Sequence, residues 1–425
     1  MIPTPEENKR WRDTARAIAE KHVRPNAAKL DRVPADRWQE AYNWDAMKAC
    51  GEAGLLGTFI EKDHGGAGRS IVNLCTVVEE LAKADSGFGV AFAVNALGSF
   101  PLIVGGTEEQ KKRWLPAVAA GKKLVAFCLS EKFAGSDAQN LRVRAFKDGK
   151  DWVIRGEKKW TTNGGAADLY TVFAVTDPES KSRRISAFVV EKGMKGFSIG
   201  KVEPKMGIRT VPVVETVFDD VRVSEEHLLG GRAGMGFRHA METLDLARPG
   251  VAAQAVGAAQ GALDYAVVYA SRRRQFGAPI ASFQMVQQML ADCAMQTEAA
   301  RALVYEAARA ADLGDTDRLN KLAAMCKCFA TDTAMKVATD AVQIFGGYGF
   351  MEDYPVAKFF RDAKILQIYE GTNQVQRIVT ARNLTKGLMD LQHLNAYIPS
   401  ESQRWIEETP SIHEDERNAA KAEKK

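Results

Sequence analysis

Leu141-Arg-Val-Arg-Ala-Phe-Lys-Asp-Gly-Lys-Asp-Trp-Val-Ile154 decides the fold class. Two runs rich in β-branched and aromatic residues flank Asp148-Gly149, a dipeptide suited to a tight hairpin turn. The rhythm continues downstream, where residues 169–175 and 185–190 are further β-rich runs and Asn163-Gly164 and Asp177-Pro178 are turn signals. No helical pattern alternates with these strands. A parallel nucleotide-binding sheet is therefore disfavoured, and an antiparallel barrel or sandwich is predicted.

On either side of this region the period changes. Toward the N-terminus Trp11, Ala15, Ile18 and His22 fall on one helical face, and Cys75, Val78, Glu79 and Ala82 keep a similar spacing. Between them, residues 61–68 have the glycine density of a loop. After Gly236, residues Val286, Met289, Leu290, Cys293, Thr297, Ala300, Val304 and Ala307 recur at three- and four-residue steps, which predicts long Ala-rich helices packed as a bundle. The predicted class is α+β: an N-terminal α-helical domain over 1–123, a central antiparallel β-barrel or sandwich over 124–236 and a C-terminal four-helix bundle over 237–388. The extension 389–425 loses periodicity and is expected to be disordered or laid over another surface.

A chain of 425 residues suits two or three packed domains, and 46% hydrophobic with 26% charged residues is a globular balance. The net charge of +4 arises from intermixed acids and bases without a basic block, so nucleic acid is not an expected partner. None of Cys50, Cys75, Cys128, Cys293, Cys326 and Cys328 has zinc-site spacing, and Cys326 and Cys328 point apart on a helix. Reduced, mostly buried thiols, no metal and a cytoplasmic location are expected. Residues 1–10 are polar, with Pro3 and Pro5, and match neither a signal nor a transit peptide. Residues 86–107 carry no charge over a membrane-spanning length. Asn95, Ser99, Pro101 and the glycines are expected to interrupt them, and a helix buried among helices explains the composition without an integral membrane segment.

Three segments carry candidate chemistry. The first is Cys128-Leu-Ser-Glu-Lys-Phe-Ala-Gly-Ser-Asp137 with Gly156-Glu-Lys-Lys-Trp-Thr-Thr-Asn-Gly164. The second is Arg273-Arg-Gln-Phe-Gly277. The third is Tyr369-Glu-Gly-Thr-Asn-Gln-Val-Gln-Arg377, preceded by Gln343-Ile-Phe-Gly-Gly347 and Arg361-Asp-Ala-Lys364. In this order and α, β, α setting, the chain from about Glu7 to Leu388 resembles the acyl-CoA dehydrogenase family.

That resemblance implies α,β-dehydrogenation of an acyl-CoA thioester with FAD as cofactor and an electron-transferring flavoprotein as acceptor. Glu370 would be the base, because a thioester α-proton is too weakly acidic for water and needs a positioned carboxylate, whose pKa should rise in a dry pocket. The resemblance assigns cofactor contacts to Phe127, Leu129, Ser130, Gly135 and Ser136 along the flavin, with Ser136 also near the coenzyme A. Trp160, Thr161 and Thr162 would cover the other flavin face. Arg273, Gln275, Phe276 and Gln284 would reach the pyrophosphate and adenine, and Gln343, Ile344, Phe345, Gly346 and Gly347 would reach them from a neighbouring subunit of a homotetramer. Thr372 and Gln374 would complete the cofactor contacts. Asp245, Arg248, Tyr369 and Gly371 would meet the substrate. Each has a plainer alternative: a core tryptophan at 160, a helix C-cap at 346–347, a surface salt bridge for Asp245 and Arg248, and a solvated carboxylate at 370.

Departures narrow the reading. Glu131-Lys132-Phe133 replaces a Glu-Pro-small sequence common in the family. Ala247 stands where isovaleryl-type and long-chain members place their base, and Gly89 where glutaryl-type members carry an arginine, so both substrate groups are disfavoured. A flavin acyl-CoA oxidase or a catalytically silent scaffold of the same fold are the alternative functions. Short, branched, alicyclic, aryl-substituted and other dicarboxylic acyl groups remain open.

Overall fold

The computed structural model describes residues 2–386 and Leu394. Most lie in one compact unit, Met1–Arg377; of the second, Ile378–Lys425, residues 378–386 are helical. The expectation for the extension 389–425 falls outside the described residues apart from Leu394.

Seven helices precede the sheet: α1 Pro5–Ile18, α2 Ala27–Asp31, α3 Trp38–Ala41, α4 Trp44–Glu52, α5 Ile71–Ala84, α6 Ser86–Gly105 and α7 Glu108–Ala119. Helix α1 starts at Thr4, whose hydroxyl accepts from the Glu7 N–H at 3.1 Å, with Pro5 in the first turn. Its apolar stripe runs through Trp11, Ala15 and Ile18 as expected. The chain then widens into a π-helical turn, Ala19–Val23, and the altered phase buries Val23 in place of the expected His22.

Residues 86–105 form one unbroken helix, which corrects the expectation of interruption. Its glycines serve close packing: a Cβ at Gly89 would lie 2.7 Å from Ala82 Cβ, and one at Gly98 would lie 2.7 Å from Val125 Cγ1. Among the described residues α6 alone is long and apolar enough to cross a membrane, and 83% of its apolar window is buried inside the protein. The buried Asn95 side chain donates to Ala91 O and Phe92 O and accepts from Val125 N at 2.9 Å, tying the helix to the start of the sheet.

The strands are β1 Val125–Cys128, β2 Arg144–Asp148, β3 Asp151–Thr162, β4 Leu169–Val175, β5 Ile185–Glu191, β6 Phe197–Val202 and β7 Val213–Val223. Asp148 pairs with Asp151 across the predicted hairpin. The sheet order is β1-β4-β2-β3-β7-β6, with β5 on β4. It is mainly antiparallel, but β4 runs parallel to β1 and, through one pair, to β2. That mixture corrects the purely antiparallel expectation: strand propensity carries no direction, and the order in which distant strands dock sets it.

Beyond the sheet lie α8 Gly236–Arg272, the hairpin β8 Arg274–Gln275 and β9 Ala278–Pro279, α9 Gln284–Leu313, α10 Thr316–Phe345, α11 Pro355–Leu366 and α12 Asn373–Lys386. Helices α8 to α11 pack together, and α5 joins them against α8. Gly257 and Gly261 permit that approach, since added Cβ atoms would come within 2.3 Å of Glu79 O and 2.4 Å of Lys83 O. One apolar core consequently spans the N- and C-terminal helices, while a second lies within the sheet. All six cysteines are free and buried.

Candidate active site

Between α11 and α12 the backbone turns through two consecutive left-handed residues, Glu370 at φ +51° and Gly371 at φ +91°. A non-glycine residue pays steric strain there, and such strain persists only where surrounding contacts hold it. Those contacts are specific. Gln376, fully buried, donates through Nε2 to both Glu370 O and Gly371 O at 3.1 Å. Lys327 on α10, also fully buried, donates to Gly371 O at 2.8 Å and Asn373 Oδ1 at 2.9 Å. The Tyr369 hydroxyl donates to Gln254 Oε1 at 2.5 Å, and Gln254 Nε2 donates to Ser86 O at 2.9 Å. Helices α6, α8 and α10 thus jointly fix the loop.

The Glu370 residue is half-buried, but its Oε2 is enclosed and has no hydrogen-bond partner among the described residues. Burial pushes its carboxyl up to about 7, against the pull of the Arg248 and Lys327 cations. The solvated-carboxylate alternative does not fit this setting. Arg248 is itself buried and donates to Asp245 Oδ1 at 2.6 Å, so this pair is no surface salt bridge. A base must be unprotonated to act, so kcat/KM is expected to rise with pH through about 7 and to fall about tenfold per unit well below it. A flat profile from pH 5 to 8 would contradict this assignment.

The first of the three motifs presents a different face. Phe127 is half-buried with its ring 5.2 Å from Phe173, and Leu129 is buried. Ser130 is held through its carbonyl by the Lys159 N–H at 2.9 Å, while Gly135 and Ser136 are exposed. Trp160 is 52% exposed at φ +59°, beside a register shift in the β3–β7 ladder, so it is not a core tryptophan. Thr162 is half-buried. Thr161 faces inward, its hydroxyl among Thr216 Oγ1 and Cys128 Sγ, and its carbonyl accepts from the Gly164 N–H at 3.2 Å.

Arg273, Gln275, Ile344, Phe345, Gly346 and Gly347 line one cleft of about 440 Å³ together with Tyr269, Ile280, Tyr348 and Met351. Arg273 forms no ion pair among the described residues, and its guanidinium lies 5.4 Å from the Tyr348 ring centre. Gly346 caps α10 at φ +61°, so the C-cap alternative holds for it. Gly347 has no such duty, and no protein atom lies within 4 Å of a Cβ built on either residue. Phe276 projects from the hairpin tip at 96% exposure, and Gln284, Gln343 and Gln374 are exposed. Thr372 caps α12, its hydroxyl accepting from Val375 N at 3.3 Å. Neither Glu370 nor Trp160 lines this cleft; the chain presents two separate sets of groups.

Family models for the N-terminal, middle and C-terminal domains of acyl-CoA dehydrogenases match residues 5–122, 126–221 and 234–385. The chain belongs to the acyl-CoA dehydrogenase family. A probable acyl-CoA dehydrogenase of Mycobacterium leprae is 48% identical over 91% of this chain and 97% of its own length. The solved butyryl-CoA dehydrogenase of Megasphaera elsdenii is 42% identical, with a TM-score of 0.85 over 91% of this chain and 100% of that one. A structure described as the electron-transferring flavoprotein of Acidaminococcus fermentans matches at 45% identity and TM-score 0.86, covering 90% and 99% of the two chains.

Within this acyl-CoA dehydrogenase fold, the motif reading missed Lys327, Gln254 and Gln376. A signal existed for the first. Lys327 sits on the stripe of Ala323, Ala330 and Ala334, and a charge on an apolar helical stripe needs a buried partner.

Proposed function

We infer that this chain oxidises the α,β carbon–carbon bond of an acyl-CoA thioester to the 2-enoyl thioester, with FAD as cofactor and an electron-transferring flavoprotein as electron acceptor. The observation that carries the reading is the enclosed, unpartnered carboxylate oxygen of Glu370 on a strained loop braced from three helices. Glu370 removes the α-proton. Its N–H has no partner among the described residues and is free to donate to the thioester oxygen as negative charge develops there. Arg248 and Lys327 keep the carboxylate from rising further, so that it holds an ionised fraction near neutral pH. Asp245, Arg248, Tyr369 and Gly371 border the acyl-CoA, and Ser136 its coenzyme A portion.

The residues present suit FAD. An exposed aromatic at Trp160 offers a ring face, Arg273 a free guanidinium for pyrophosphate, and Gly346-Gly347 an open backbone approach. Phe127, Leu129, Ser130, Gly135, Thr161, Thr162, Thr372 and Gln374 complete one set of contacts, and Gln275, Phe276, Gln284, Gln343, Ile344 and Phe345 the other. When bound, the flavin accepts the β-hydrogen as hydride.

The separation of the two sets supports a homotetramer in which the cleft of one subunit serves the cofactor of another. Exposure of Phe276, Phe350 and Met285 at 96%, 80% and 71% agrees with buried subunit contacts. Light scattering is expected to give four chains with four FAD; a flavin-saturated monomer would remove this arrangement. The free thiols support a cytoplasmic location, and the packing of Gly89 against Ala82 disfavours an arginine-gripped glutaryl substrate. Anaerobic titration with a panel of short, branched, alicyclic and aryl acyl-CoA thioesters tests the whole reading. At least one should bleach the oxidised flavin absorbance, and a panel without bleaching would refute it.

A further inference from the structure

We propose that Lys327 is a positioning residue for the base: its buried ammonium, bonded to Gly371 O and Asn373 Oδ1, holds the left-handed Glu370-Gly371 turn in the geometry that aims the carboxylate. The inference rests on Glu370 being the base.

Three observations support it. First, Lys327 is 0% exposed and its two acceptors are both neutral oxygens at 2.8 and 2.9 Å, so no carboxylate neutralises it by direct contact. A buried lysine without a contacting counter-ion is costly, and burial indeed pushes its ammonium down to about 8. Second, the carbonyl it grips belongs to the residue after Glu370, inside the strained turn. Without Lys327 the carbonyls of the turn itself would be held from α12 only, through Gln376, while the Tyr369–Gln254 bond braces the residue before it. Third, the Asn373 amide is locked by Thr331 and Asp332, so Lys327 joins the turn to a rigid part of α10.

The charged and titratable groups facing Lys327 are Glu370, Cys328, Arg248 and Asp332, the last paired with Arg377. Glu370 is the first charge to favour its ionised form, and the effect is reciprocal. Lys327 therefore acts on the base twice, through the backbone and through space.

The test uses the FAD-loaded enzyme. Lys327→Met keeps much of the stem but removes the bonds and the charge. Flavin reduction by a bleaching substrate is expected to slow by about 10²-fold, the scale for a base displaced by about 1 Å. The Glu370 carboxyl band, assigned by infrared difference against Glu370→Gln, is expected to titrate at higher pH than in the parent, without substrate present. Lys327→Arg, which keeps a cation and donors, should recover part of both readouts, and exposed Lys321→Met on the same helix should change neither. Should Lys327→Met not fold with FAD, Lys327→Gln carries the same two measurements. A folded, FAD-replete neutral variant with parental reduction rate and parental Glu370 titration would overturn the proposal. If Glu370→Gln itself retains turnover, the base assignment falls instead, and the infrared titration still reads the Lys327 to Glu370 coupling.

Discussion

Glu370→Gln is expected to fold, retain FAD and bind acyl-CoA, yet lose turnover by about 10²- to 10⁴-fold. The amide is nearly isosteric with the carboxyl, and the contacts that hold the turn are made to backbone carbonyls, which the change leaves in place. What disappears is the ability to accept a proton. The neighbouring Arg248 retains Asp245 as its partner, and Lys327 retains its two oxygen acceptors, so no newly unpaired contact should destabilise the fold. Stopped-flow flavin reduction measures the loss, and the flavin-to-protein absorbance ratio with the melting temperature confirms the intact holoenzyme. Near-parental reduction would place the base elsewhere.

The second large effect concerns stability. Lys158 is fully buried and donates to Leu129 O at 2.9 Å and Glu131 Oε1 at 2.7 Å. The Glu131 carboxylate also accepts from the N–H groups of Arg142 and Val143 at 2.6 and 3.1 Å. This pair staples the segment after β1 to the approach of β2, with Leu129 and Ser130 between. Lys158→Met should leave an uncompensated buried carboxylate and cost about 3–5 kcal/mol, with a lower melting temperature and weaker FAD retention. Adding Glu131→Gln should restore part of the loss, because the double variant no longer buries a lone charge. A single variant within about 0.5 kcal/mol of the parent would show that water or local movement rehydrates Glu131 at little cost.

The same pair shows why parts of the site were hidden in the sequence. Glu131 and Lys158 lie in the two separate stretches of the first motif, and each reads as an ordinary surface charge until β3 carries Lys158 under the 129–131 segment. Trp160 is a similar case. Its type and the adjoining Thr-Thr-Asn-Gly were legible, but only the local break in the β3–β7 register shows that the ring is exposed while Thr161 turns inward.

Helical periodicity, turn dipeptides and the order α, β, α determined the fold class from sequence, because burial on one face imposes spacings of 3.6 or 2 residues wherever it occurs. The motif around Glu370 marked the candidate base only through its resemblance to the acyl-CoA dehydrogenase family, since a Glu-Gly-Thr triplet by itself reads as a loop. The chemical state of that base was decided by tertiary structure alone. Its raised pKa comes from enclosure, which outweighs the opposing pull of Arg248 on α8 and Lys327 on α10, and its direction from bonds made by α10 and α12. The strand directions, the docking of α5 on α8 and the continuity of α6 were settled the same way. Each depends on which distant segments meet, and local residue preference contains no term for that.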